Sequence, residues 1–183
     1  MRENAGPDRH QPVIAMKKLG TITDKEILGT DGLSTANPRL TARAILFNTE
    51  GLCAVMYAEK FGLYSLPGGG VENGEEVMTA LLREIREETG CTCDEVAPLG
   101  YVEENRAHCD YTQVSYYYVV KTRGTLLNPS LTESEKRNGT AVQWHTRENA
   151  YHLIASAQHT TTQRKYLQAR DVMAMDAYLI RNK

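Results

Sequence analysis

Gly69-Gly70-Val71-Glu72-Asn73-Gly74-Glu75, continued through Arg83-Glu84-Ile85-Arg86-Glu87-Glu88-Thr89-Gly90, is the stretch that decides how this chain is read. Pro67-Gly68-Gly69-Gly70 reads as a turn, because glycine permits positive φ and proline fixes its own. Gly74-Glu75-Glu76 suits a helix start, with acids at the positive end of the dipole. From there to Glu88 no proline or glycine interrupts good helix formers, which predicts a helix over 75–88. At about 100° per residue, Val77, Met78, Leu81, Leu82 and Ile85 fall on one apolar stripe. Glu84 and Glu88 lie at its edge and Glu87 just outside. A merely solvated charge run sits opposite the stripe, whereas these acids sit beside the core at i, i+3 and i+4 spacing.

Carboxylates so placed repel by about 0.2–0.5 kcal/mol per pair on an exposed helix. A chain that keeps them calls for a cation between them, and carboxylate oxygens suit a hard divalent ion, Mg²⁺ or Mn²⁺. Mg²⁺ is commonly held by a few carboxylates together with substrate phosphates. A glycine turn beside them gives an anionic ligand room to approach the backbone at Gly69 and Gly70. Cation site and open backbone together read as a diphosphate site; the plainer alternative is a solvated acidic helix.

The spacing is a glycine, five residues, a glutamate, seven residues, then Arg-Glu-apolar, one residue, Glu-Glu, one residue and Gly-apolar. Gly69, Glu75, Arg83, Glu84, Ile85, Glu87, Glu88, Gly90 and Cys91 occupy those places, with Cys91 smaller than the usual last residue. The chain therefore resembles the Nudix hydrolases. The resemblance implies an α/β/α sandwich with a mixed β-sheet, metal ligands at Glu84, Glu87 and Glu88, and supporting roles for Arg83 and Glu75. Arg83, four residues before Glu87, can orient that carboxylate across one turn. A further acid often comes from a distant loop in this family; Glu133, Glu135, Glu103 and Glu104 are candidates and the sequence does not choose among them.

Away from the box, Arg39–Phe47 alternates as a strand, with Arg43 its odd member. Arg43 is either an edge arginine with a packed stem or a cation near substrate phosphate. Asn48–Gly51 predicts a hairpin turn and 52–57 a buried strand. Further strands are expected at 96–103, 113–122 and 140–145, a long loop over Gly124–Gly139, and helices at 148–157 and 161–182 with an N-cap among Thr160–Thr162. Residues 1–12 read as a mobile tail and Val13–Met16 as a short strand, with residues 13–183 forming one domain. The resemblance reaches from about Arg39 to residue 155. Tyr64, Tyr111, Arg106 and Gln113 are candidates for substrate recognition.

Composition bounds the partners. A hydrophobic share of 41% and a charged share of 24% are ordinary for a globular protein. A formal net charge of −2 argues against a strong nucleic-acid surface. No apolar run approaches the ~20 residues of a membrane span. Cys53, Cys91, Cys93 and Cys109 lack the spacing of a disulfide framework or a zinc site, which makes a reducing cytoplasm the expected location. The expected function is metal-dependent hydrolysis of the diphosphate linkage in a nucleoside diphosphate joined to another moiety. The rivals are a nucleotide sensor that does not hydrolyse, a nucleoside-triphosphate or RNA 5′-end pyrophosphohydrolase, and a diphosphate-ester isomerase. Tyr166, Met173, Met175 and Tyr178 in the last helix hint at a homodimer.

Overall fold

The computed structural model describes residues 16–123 and 127–182. The tail expected over 1–12, and all but Met16 of the strand expected at Val13–Met16, lie outside that range. The described strands are β1 (Lys18–Thr23), β2 (Arg39–Phe47), β3 (Cys53–Ala58), β4 (Leu63–Ser65), β5 (Gly68–Gly70), β6 (Cys93–Arg106), β7 (Tyr111–Thr122) and β8 (Thr140–His145). The helices are α1 (Asp24–Leu28), α2 (Val77–Thr89), α3 (Glu133–Arg137), α4 (Arg147–Ser156) and α5 (Thr162–Arg181). The sheet runs β1-β6-β7-β2-β3-β4, with β5 added to β2 and β8 to β3. β1–β6 and β2–β7 are parallel and the other pairs antiparallel, so the sheet is mixed, as expected.

Strand alternation sorts the core into two layers. Ala42, Ala44 and Leu46 of β2 are fully buried and pack with Leu81 and Ile85 of α2. Ile45, on the opposite face, joins Val55, Tyr117, Ile154, Tyr166 and Met175 under α4 and α5. The result is helix, sheet, helix.

Several expectations need correction. Gly68–Gly70 is not a turn but a short strand paired with Thr41–Arg43. Gly68 has φ +130°, and a Cβ there would stand 2.7 Å from Arg43 Cα, so only glycine lets β5 close on β2. Helix α2 starts at Val77 instead of 75, because the Glu75 carboxylate is taken by Arg83 and by the Glu72 N–H (2.9 Å) on the approach to the helix. The buried face of α2 is Ala80, Leu81 and Ile85, while Met78 and Leu82 are exposed. β6 is longer than expected, and β1 was missed because its partner is non-local. The loop over 124–139 contains α3, capped by Thr132 and Glu135. At Thr161 the N-cap side chain makes no capping bond.

The residues that hinted at a homodimer are engaged within the fold to different degrees, Tyr166 and Met175 buried, Met173 and Tyr178 half-buried. Tyr166 and Met175 are core residues, Met173 fills the space above Gly20, and Tyr178 packs on Phe47 with ring centroids 5.6 Å apart. No described helix is long and apolar enough to cross a membrane.

Candidate functional site: carboxylates and guanidiniums across a glycine strand

Arg83 is the hub. Its Nε and Nη2 grip both oxygens of Glu75 at 2.9 Å each, and Nη2 also donates to the Gly70 carbonyl at 3.0 Å. Its Nη1 reaches Glu84 at 2.8 Å and, one helical turn on, Glu87 at 3.2 Å. These bonds hold the Glu75 carboxyl down at about 2. Glu88 takes a different partner and accepts from the Gly68 N–H at 2.6 Å. Burial pushes the Glu88 carboxyl up to about 8; the Gly68 N–H and Arg43 oppose this, and the charges of Glu84 and Glu135 reinforce it. Burial also raises Glu84, against the pull of Arg83. Two carboxylates crowded beside the core at a cost to their ionisation are short of positive charge.

The glycines leave room on both faces of β5. A Cβ on Gly69 would stand 2.5 Å from Glu84 Cδ, and one on Gly70 would stand 2.8 Å from Arg39 Nη2. Side chains of the protein itself use the room. β5 is thus a thin partition, with Glu84 against one side and the Arg39 guanidinium against the other.

Beyond the partition opens a cleft of about 420 Å³, within the range of small-ligand pockets. The expected substrate residues Arg43, Arg106, Gly69 and Gly70 all line it, together with Tyr111 and Gln113. Arg43 lies in a central strand between Tyr117 and Gly68, not at an edge, and donates to Leu66 O at 3.0 Å. Gln113 is fully engaged: its amide nitrogen donates to Glu104 and Ser115, and its oxygen accepts from Tyr111. Tyr64 is elsewhere, stacked on Tyr57 at 4.6 Å. The sequence reading missed Arg39, His108, Gln163 and Arg170. Two signals were present: Arg39, Thr41 and Arg43 share one face of β2, and Arg170-Asp171 interrupts the apolar pattern of α5.

Of the four candidate distal acids, Glu103 pairs with Lys18 and Glu133 with Lys136. Glu104 is buried and committed to Arg106, Arg170 and Gln113. The charge of Glu135 contributes to the raised Glu88 carboxyl. The segment that leads to Glu135 is pinned to the end of α2, where Ser130 N donates to Glu87 O (2.7 Å) and Leu127 N to Gly90 O (2.8 Å). A larger groove of about 820 Å³ between α5 and β1, lined by Leu19, Leu99 and Met173 among others, shares no residue with the cleft and gathers no such chemistry.

Residues 37–169 match the family model of the NUDIX domain. The chain belongs to the NUDIX family. Its fold is similar to that of a NUDIX hydrolase from Nitrosomonas europaea (18% identity, covering 79% of this chain and 90% of that one, TM-score 0.57). It is also similar to a MutT protein from Methanosarcina mazei Go1 (16%, 82% and 99%, 0.55) and to the E. coli ORF135 protein (21%, 82% and 94%, 0.54). No curated protein sequence matches it. NUDIX enzymes in general hydrolyse diphosphate linkages of nucleoside diphosphate derivatives, and they use a divalent metal to do so. The donors here fit such an ion in kind, all being carboxylate oxygens, two of them in surroundings short of positive charge. Among the described residues, though, no three His, Cys, Asp or Glu side chains stand drawn together as a ready-made metal cluster. Arg83 occupies the place between Glu84 and Glu87 instead.

Proposed function

We propose that this NUDIX protein hydrolyses the diphosphate linkage of a nucleoside diphosphate joined to another moiety. The observation that supports it most is that Glu84 and Glu87, held by Arg83, and Glu88, held by the Gly68 N–H, all lie on α2 against β5, which also borders an arginine-lined cleft. Mg²⁺ or Mn²⁺ would be held by Glu84, Glu87 and Glu88. When bound, the ion neutralises the diphosphate and lowers the pKa of an attacking water.

The chain's own residues do the rest. Arg83, anchored by Glu75, fixes the Glu84 and Glu87 carboxylates in direction. Arg43, its stem in the sheet, offers a guanidinium to the phosphate oxygens that gain charge in the transition state. Glu135 uses one oxygen to accept from Thr132, and the other is free to take the proton of the attacking water. Water attacks phosphorus, the bond from phosphorus to the bridging oxygen breaks, and the two phosphate products leave.

A screen of nucleoside diphosphate conjugates with Mg²⁺, detecting released phosphate groups, tests this reading. Turnover should vanish with chelator and return with Mg²⁺ or Mn²⁺, and hydrolysis in ¹⁸O-water should label a phosphate product. Full activity after exhaustive chelation, or label found only on a sugar carbon, sinks the proposal. Glu135→Gln should lower kcat by about 10²–10⁴-fold, the usual worth of a general base.

A further inference from the structure

The cleft is more positive than one diphosphate held beside a metal requires. Four guanidiniums line it, from Arg39, Arg43, Arg106 and Arg170, and none of its lining residues is an aspartate or glutamate. Two nearby acids, Glu104 and Asp171, are 1% and 0% exposed and lie beneath the cleft. Both are spent on holding their surroundings. Glu104 accepts from Arg106, Arg170 and Gln113, and Asp171 from Arg170, Tyr117 and Leu66 N. The cleft wall itself thus presents guanidiniums and no carboxylate, the acids around it lying beneath it, behind Gly69 (Glu84) or paired with His108 (Asp24).

Arg170 sharpens the point. It is 1% exposed, with Nε tied to Asp171 at 3.2 Å and Nη1 to Glu104 at 3.4 Å, while Nη2 is buried without a partner. A donor of a buried charged group left unmade is costly, so the position calls for an acceptor. Arg43 Nε is orphaned in the same way. Arg39 is exposed, pairs with no acid among the described residues, and stands in the room left by Gly70. Arg106 lies between the rings of Tyr111 and Tyr166, at 4.8 and 4.6 Å from their centroids, which fixes its plane.

We propose that Arg39 and Arg170, with Arg106 beside them, form a second anion subsite that takes a further phosphate of the substrate, beyond the diphosphate at the glutamates. This rests on the hydrolase reading for the word substrate, but binding tests it without turnover. The further phosphate is either a third one in line or one carried on the ribose.

Calorimetric titration in chelator, with no metal, separates these sources. The ligands are inorganic diphosphate, inorganic tripolyphosphate, ADP, and ADP bearing an additional 3′-phosphate. The subsite predicts that tripolyphosphate binds at least about tenfold more tightly than diphosphate, or that the ribose-phosphorylated ADP does so relative to ADP; whichever pair shows the gain names the source. Arg39→Gln should collapse that ratio and Arg39→Lys should keep part of it, with both variants melting as folded proteins. Equal affinities within both pairs, a ratio unchanged in Arg39→Gln, or no anion binding at all would overturn the subsite and leave water on Arg170 Nη2. A preserved ratio in a protein that then turns over nothing with Mg²⁺ would keep the subsite and reject the hydrolase.

Discussion

Arg83 Nη1 reaches Glu84 and Glu87 at once, so without metal a guanidinium already stands between two of the three carboxylates. It does not satisfy them fully, since Glu84 remains raised by burial and by Glu87. Glu84→Gln should therefore stabilise the metal-free protein by about 0.4–1 kcal/mol, from ~0.2–0.5 per like-charge pair relieved. That is an upward shift of about 1–4 °C in Tm for a domain of this size. With saturating Mg²⁺ the order should invert, because wild type gains more from binding, and turnover should fall at least about 10²-fold. Paired melts with chelator and with Mg²⁺ decide it: a mutant that melts higher in both and turns over normally is no metal ligand. Glu88 yields a pH prediction. Its folded carboxyl, at about 8, holds a proton that the unfolded chain releases near 4.5. The folded state thus binds more protons between those values, and wild type loses stability as pH rises through that window. In chelator, Glu88→Gln should gain on wild type from pH 4.5 to 8, and Mg²⁺ should shrink the gap by holding Glu88 ionised. A gap that stays flat across the window refutes the raised carboxyl.

At the scale of elements, β5 is three glycines with three different reasons. Gly69 makes room for Glu84 and Gly70 for Arg39, whereas Gly68 combines φ +130° with backbone contact to β2. Gly68→Ala should cost more than about 2 kcal/mol, since strain and steric clash add. Gly74→Ala is the control: its φ is +79° but nothing lies near its Cβ, so only backbone strain of about 1–2 kcal/mol remains. Chemical denaturation of both variants checks the difference, and equal costs would mean that β5 does not close on β2 as described. α3 shows how a local signal is misread when its neighbours are loop-like. The Thr132 to Glu135 capping box was present in the sequence, but a five-residue helix has too few turns to show a period.

At the scale of the whole molecule, Asp171 joins the layers. Its carboxylate accepts from Leu66 N (2.9 Å), from Tyr117 Oη (2.7 Å) and from Arg170 Nε, tying α5 to β7 and to the segment that leads into β5. Asp171→Ala leaves Arg170 buried with part of its charge uncompensated and should cost about 3–5 kcal/mol, a drop of about 6–20 °C in Tm. A loss under about 1 kcal/mol in thermal or urea unfolding would show that the joint is not structural. What the sequence determined by itself was the family, the alternation of β2, the helix that carries Glu84, Glu87 and Glu88, and the reach from Arg83 to Glu87. All of these depend on residues near one another in the chain, where helical and strand periods translate spacing directly into geometry. Only the tertiary structure decided that Gly68–Gly70 is a strand, that β1 pairs with β6, that Glu104 is buried among Arg106, Arg170 and Gln113, and that Arg39 and Arg170 meet in one cleft. Those relations join residues far apart in the chain. They are set by which faces the core must bury and which buried charges must find partners, and no local period records either.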